Sequence, residues 1–295
     1  MQNQPSGAQL WILGARPRTL PAAFVPVFVA VGRAISQDTT EAKMWSGAFC
    51  ALIVSVALQV GVNYANDYSD GIKGTDNQRV GPLRLVGSGL VPAKHVKIAA
   101  FIAFGIAAVV GLFIALATTL ALIPLGVLCI AAGWLYTGGP KPYGYFGFGE
   151  LFVFVFFGLV ATCGSVYAIT QTIDGVTWMA SCVVGMLSCA LLVVNNLRDI
   201  PGDTQANKKT LAVRIGDSRT RQMYVAMFVM VSILLICLSL TDSSVLISFV
   251  GLLAAIPAIK AVLSGAKGRD LIPVLGATGR AQLIVGILLA VGLAI

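Results

Sequence analysis

Long apolar runs, parted by short polar breaks, cover most of the chain. A helix needs about 20 such residues to cross a hydrocarbon layer of about 30 Å. Nine runs come close: 19–36, 45–66, 96–116, 119–137, 149–170, 177–196, 222–240, 243–262 and 273–294. The pattern predicts an all-α, polytopic membrane protein with nine transmembrane helices, in one domain over 1–295. The third and fourth runs are parted only at Thr118–Thr119, and Arg280 interrupts the last. Pro21 and Pro26 break the first run, and no cleavage pattern accompanies Arg16 and Arg18. That run reads as a retained first helix, not a signal peptide.

Composition agrees. Apolar residues make up 57% of the chain and charged residues 11%, against about 25% charged in an ordinary soluble domain. Disordered tails, coiled coils and collagens are excluded. The net charge of +8 has a use in membrane anchoring before any nucleic-acid reading is needed, and nine apolar runs speak against a nucleic-acid partner. With the N-terminus in the cytoplasm, 18 of the 20 Lys and Arg fall on the cytoplasmic side, allowing Lys97, Lys260 and Arg280 to snorkel. Only Arg33 and Lys43 fall outside, in the company of Asp38 and Glu41. The bias predicts an odd number of spans in a plasma membrane, N-terminus in and C-terminus out. Six cysteines lie in apolar runs without a CxxC pair, and His95 is the only histidine. No zinc ligand set exists, and the cysteines read as small hydrophobes.

Two cytoplasmic breaks are long and charged. After the second run come Asn63, Asn66, Asp67, Asp70 and Asp76, then Arg79 and Arg84. After the sixth come Asn195, Asn196, Arg198, Asp199 and Asp203, then Lys208, Lys209 and Arg214. Asp67/Asp70 and Asp199/Asp203 each fit one helix face, where like charges repel unless a cation compensates. A solvated rim, or pairing with Arg79, Arg84 and Arg198, is one reading. The repetition favours another: two facing oxygen-ligand clusters suit Mg²⁺ with a diphosphate held between them. Nearby Lys and Arg would bind the remaining phosphate oxygens.

Several segments resemble the intramembrane aromatic prenyltransferases (the UbiA-like superfamily), in the branch acting on 1,4-dihydroxy-2-naphthoate in its actinobacterial form. They are Asn63-Tyr-Ala-Asn-Asp-Tyr-Ser-Asp-Gly-Ile-Lys-Gly-Thr-Asp76, continuing into Arg79-Val-Gly-Pro-Leu-Arg84, and Asn195-Asn-Leu-Arg-Asp-Ile-Pro-Gly-Asp203 with Lys209-Thr-Leu-Ala-Val-Arg214. Supporting runs are Gly14-Ala-Arg-Pro-Arg-Thr-Leu-Pro21, Trp134-Leu-Tyr-Thr137 and Gly147-Phe-Gly-Glu150. The resemblance implies nine helices around a central cavity capped by the two aspartate loops. It implies transfer of a polyprenyl chain from its diphosphate to dihydroxynaphthoate with loss of carbon dioxide, giving demethylmenaquinone. Asp76 lies six residues after Asp70, and Asn207-Lys208 stands where relatives carry Gly-Lys. Asn tolerates the left-handed backbone such a turn needs.

On this reading Asp67, Asp70, Asp199 and Asp203 form the Mg²⁺ set, directly or through water. Asn63 and Asn196 supply amide oxygens or cap helix ends. Arg79, Arg84, Lys141, Arg198 and Lys209 are diphosphate candidates, although Arg198 can instead neutralise Asp199. Whether Lys208 or Lys209 faces the site is open. Tyr136, Tyr143 and Tyr145 are either cation-stabilising faces or an interfacial belt. Arg16 and Arg18 bind the acceptor carboxylate or anchor helix one. Glu150 is a polar-site candidate, and Lys73 reads as a surface anchor. A different aromatic acceptor, of hydroxybenzoate or homogentisate type, is the nearest alternative. A transporter would place its polar groups near the bilayer midplane, which these spans do not.

Overall fold

The computed structural model describes residues 7–75, 81 and 83–295. Among them every regular element is helical and no strand occurs. The long helices are α3 (Glu41–Ile72), α4 (Ala93–Ala117), α6 (Gly149–Thr170), α7 (Gly175–Gln205), α8 (Leu211–Ser239), α9 (Ser243–Leu263) and α10 (Gly268–Ala294). These seven are long and apolar enough to cross a membrane, and a bent pair, α1 (Gly7–Gly14) and α2 (Pro21–Ser36), makes an eighth candidate. The chain is thus an all-α polytopic membrane protein with seven or eight candidate spans. The fourth sequence run, 119–137, is helical over α5 (Leu122–Leu135), but at 14 residues it reaches only about 21 Å at 1.5 Å per residue. The break before it consumes Thr118 to Ala121, where Thr118 Oγ1 turns back onto the Ile114 carbonyl at 2.7 Å.

The bend before α2 has a local cause. Arg16 adopts φ 56°, ψ 70°, and Pro17 and Pro21 open the two helical turns that follow. Proline suits a first helical position because its missing N–H would have no intrahelical partner. The two segments meet at 57°. Side chains of α3 hold the corner: Asn63 Nδ2 donates to the Ala15 carbonyl at 2.9 Å and Gln59 Nε2 to Thr19 Oγ1 at 2.9 Å.

α7 runs through the centre of the bundle. Its Val183, Val184 and Leu187 pack in one buried cluster with Tyr224 and Leu235 of α8 and Leu289 of α10. Close approach depends on small residues. A Cβ on Gly158 would stand 2.4 Å from the Gly185 Cα, so only glycine allows α6 to cross α7 there. Gly158 lies in a π-helical stretch, Phe154–Val160. A Cβ on Gly32 would stand 2.2 Å from the Ala290 carbonyl oxygen, so α2 and α10 touch backbone to backbone. Val109, Phe113 and Leu116 of α4, Trp178 of α7 and Val250 of α9 face outward, as lipid-facing positions do.

At the opposite end from the aspartate motifs, Arg33 in the last turn of α2 pairs with Asp174. The sequence placed Asp38 and Glu41 beside Arg33; the partner comes from 141 residues away. Asp174 also caps α7, accepting from Thr177 N at 2.8 Å and Thr177 Oγ1 at 2.7 Å. Burial pushes its carboxyl up, but the Thr177 bonds and Arg33 outweigh this and hold it below the usual range. A carboxyl so held stabilises the fold above its ordinary pKa and loses that contribution as pH falls through the lower folded value. Asp174→Ala is expected to cost at least about 1 kcal/mol for the lost cap, and more for the stranded Arg33. Thermal unfolding in detergent should show the deficit at neutral pH, shrinking below about pH 3.9.

Candidate functional site

α3 has 32 residues and α7 has 31. At 1.5 Å per residue each is about 48 Å long, well beyond the roughly 30 Å a bilayer core requires. Their surplus turns carry the two Asn/Asp motifs. A cavity of about 860 Å³ lies between them. One end is polar, with Asn63, Asn66 and Asp70 from α3 and Asn195, Asn196 and Asp199 from α7. The remainder is apolar, with Leu58, Ala107 and Leu112 on one side and Phe156 and Val160 on the other.

The carboxylates are buried, which removes the solvated-rim reading: Asp67 is 0%, Asp70 2%, Asp199 7% and Asp203 9% exposed. Each is compensated differently. Asp67 accepts from the backbone N–H groups of Leu85 (2.8 Å) and Val86 (2.9 Å), so it pins the segment after α3. That segment places an Arg84 Nη2 3.7 Å from Asp70. Asp199 is bound by Arg198 through two bonds of 2.8 Å. The neutralising role for Arg198 is therefore realised, and a third bond, 2.7 Å to Asn195 Oδ1, fixes its plane. Its Nη1 is buried without a partner. Asp70 accepts from Tyr145 Oη at 2.9 Å.

The two motifs meet at Lys208. Its Nζ lies 3.6 Å from Asp70 Oδ2 and 3.8 Å from Asp203 Oδ1, and 5.1 Å over the Tyr145 ring. Lys208 reaches this point because Asn207 turns the chain at φ 55°, as its side-chain type allows. Lys209, a sequence candidate, is exposed; its backbone N–H donates to the Tyr145 carbonyl at 3.1 Å. Lys141 is exposed as well and does not line the cavity. Lys73 is no free anchor: its Nζ donates to the Thr137 carbonyl at 2.6 Å and lies over the Tyr145 ring. Burial pulls its ammonium below the ordinary value; Asp70 opposes this and Lys208 adds to it. Asp76 and Arg79 lie outside the described residues.

Two of the three aromatic candidates belong to the cavity, and Tyr145 lies behind its wall against Asp70. Tyr136 and Tyr143 line it, and Tyr143 stacks on Phe152 at 3.9 Å. Burial, then the Asp70 carboxylate, drive the Tyr145 phenol far above its ordinary pKa, so it stays a hydrogen-bond donor. Arg16 and Arg18 also line the cavity, and Arg16 presents a buried Nη2 with no partner. Glu150 opens α6 and accepts from Asn196 Nδ2 at 2.9 Å. Sequence reasoning did not single out Thr19, Gln59 or Thr137. Gln59 carried a usable signal, since an amide four residues before Asn63 in an apolar run needs a partner.

Among the described residues no three His, Cys, Asp or Glu side chains converge tightly enough to hold a metal unaided. Asp70 and Asp203 do share one cation, the Lys208 ammonium. That donor set fits a hard cation such as Mg²⁺, which takes few carboxylates and completes its shell with water and phosphate oxygens. The unpartnered Arg16 and Arg198 donors fit an anion in the same cavity.

A long-helix bundle with paired Asn/Asp motifs at one end of a cavity defines a class. The UbiA prenyltransferase family pattern matches residues 23–271, and the chain belongs to that family. The chain is 49% identical over 284 residues to the 1,4-dihydroxy-2-naphthoate octaprenyltransferase of Mycobacterium tuberculosis, covering 96% of both. It is 35% identical over 305 residues to the Escherichia coli enzyme of the same name, covering 99% of this chain and 97% of that one. A UbiA homolog from Aeropyrum pernix K1 superposes with a TM-score of 0.70 at 17% identity, over 92% of this chain and 97% of that one. One from Archaeoglobus fulgidus bound to GPP and Mg²⁺ gives 0.62 at 15% identity, over 94% and 99%.

Removing the shared ammonium should expose the repulsion between the motifs. Lys208→Met is expected to lower stability by about 2 kcal/mol, the scale of a charged hydrogen-bonded group lost. Thermal unfolding should also show the variant gaining more from added Mg²⁺ than the native chain does.

Proposed function

We propose that this protein transfers a polyprenyl group from polyprenyl diphosphate to 1,4-dihydroxy-2-naphthoate. Diphosphate and carbon dioxide leave, and demethylmenaquinone forms in its quinol state. The observation that carries the reading is the meeting of Asp70 and Asp203 at one cation, the Lys208 ammonium, at the polar end of the cavity. The 49% identity to the mycobacterial enzyme supports the acceptor. In this reading all nine apolar runs cross the plasma membrane, with Thr119 to Ala121 extending the 14 residues of α5. The domain is single, the N-terminus is cytoplasmic, the C-terminus is outside, and the bundle encloses a cavity capped by the aspartate loops.

Asp70 and Asp203 would hold Mg²⁺, while Asp67 and Asp199 shape the site through the Leu85–Val86 backbone and Arg198. Bound Mg²⁺ supplies positive charge to the diphosphate and so weakens the allylic carbon–oxygen bond. Lys208, Arg84 and the free Arg198 Nη1 bind phosphate oxygens. The faces of Tyr136 and Tyr143 favour positive charge at the allylic carbon. The acceptor ring attacks that carbon, forming the new carbon–carbon bond as the diphosphate departs. Arg16 holds the acceptor carboxylate. The apolar end of the cavity takes the prenyl chain, each buried methylene contributing about 0.8 kcal/mol.

The purified protein, given a polyprenyl diphosphate and dihydroxynaphthoate, should release carbon dioxide and a prenylated quinol, followed by mass. Chelation should abolish the product, and Asp70→Asn should reduce turnover at least about 100-fold, the upper range for disrupting a metal site. Turnover with a benzoate acceptor alone would move the pathway and keep the chemistry. Folded protein inert toward every aromatic acceptor would overturn the proposal.

A further inference from the structure

Four asparagines line the polar end of the cavity, and their amides are oriented by different partners. Asn66 Oδ1 accepts from Thr137 Oγ1 at 2.8 Å, and Asn195 Oδ1 accepts from Arg198 at 2.7 Å. These two turn their oxygens toward other side chains of the wall. Asn63 and Asn196 are the reverse. Asn63 Nδ2 donates to the Ala15 carbonyl at 2.9 Å, and Asn196 Nδ2 donates to Glu150 Oε1 at 2.9 Å. A backbone carbonyl can only accept, so the Asn63 orientation is fixed by the main chain. Asn196 has no such guarantee. Its orientation depends on a side chain from another helix, 46 residues away.

We infer that Glu150 is a positioning residue for the diphosphate–metal site. Its carboxyl oxygen takes the Asn196 N–H and so keeps the Asn196 carbonyl oxygen turned toward the cavity. The inference rests on the reading of that cavity as a Mg²⁺–diphosphate site. Three features built around Glu150 support it. It opens α6, where the helix N-terminus favours a carboxylate. Its backbone carbonyl accepts from Cys189 Sγ at 3.2 Å, which ties its main chain to α7 one side of Asn196. Its second oxygen, Oε2, is buried with no partner. The side chain is therefore kept at a desolvation cost, and the partner its carboxyl takes from another helix is the motif asparagine. A hard cation and its waters need an oxygen there, and an inverted amide would present N–H groups to them instead.

The test uses the full-length protein in detergent, with binding of Mn²⁺ plus geranyl diphosphate by titration calorimetry as a readout independent of turnover. Glu150→Met keeps the length and removes the acceptor; the affinity should fall about tenfold, as for other groups that orient a metal-site ligand. Glu150→Gln can accept from Asn196 or donate to it, so it should show a smaller loss. The double variant Glu150→Gln with Asn196→Asp restores a defined arrangement, because the glutamine donates to one aspartate oxygen and leaves the other facing the cavity. It should recover affinity relative to Glu150→Gln alone. The KM for the aromatic acceptor should be unchanged in all three. Native affinity in a folded Glu150→Met, or no recovery in a folded double variant, overturns the assignment. Loss of the aromatic-acceptor activity in the native protein would sink the functional reading instead, while the calorimetry would still decide the role of Glu150.

Discussion

Buried carboxylates at a membrane edge must be compensated, and this requirement organises the aspartate-motif end of the molecule. Four aspartates from two helices are all but sealed from solvent. An uncompensated charge there would cost several kcal/mol. Each aspartate has found a different answer: backbone N–H groups for Asp67, a fork-like guanidinium for Asp199, a phenol for Asp70 and an ammonium shared by Asp70 and Asp203. The answers come from different parts of the chain, so the compensation also assembles the site. Asp67 draws in the segment bearing Arg84; the turn at Asn207 delivers Lys208; the short turn at 143–146 delivers Tyr145.

The same economy governs the small amides. α3 uses Gln59 and Asn63 to hold the corner between α1 and α2, and uses Asn66 to bind Thr137. One helix therefore positions the entry bend, the wall after α5 and two of the four carboxylates. Long surplus turns make this possible, because polar side chains on them stand beyond the hydrocarbon and close to the loops.

Much of this was legible in the chain, and the boundary is physical. Apolar runs fix helices because helix is the form that satisfies the backbone locally in lipid, and every run is helical. Repeated Asn/Asp spacing marked the two helix ends because like charges at such spacing demand a cation. Partner choice across the bundle was not legible. Arg33 was placed with Asp38 and Glu41 by proximity in sequence, yet it pairs with Asp174. Lys208 and Lys209 are adjacent and chemically alike, and only the backbone turn decides that the first enters the site. Lys73 reads as an anchor until the Thr137 carbonyl is brought beside it. The length of α5 was overestimated because hydropathy runs on through Thr119 to Ala121, where the backbone does not.

The contact of Gly32 with Ala290 joins the second helix to the last. In a chain made from the N-terminus onward, α2 must wait for α10 before Gly32 is covered. The contact therefore forms only after the intervening helices, α3 to α9, have been made. Until α10 inserts, Ile272 and Leu275 are missing from the cavity lining, and the Arg18 carbonyl, which a Cβ at Gly279 would meet at 2.6 Å, is uncovered. Assembly of the cavity is in this way tied to the arrival of α10, and a product ending before Gly268 would carry both aspartate motifs without that part of the wall.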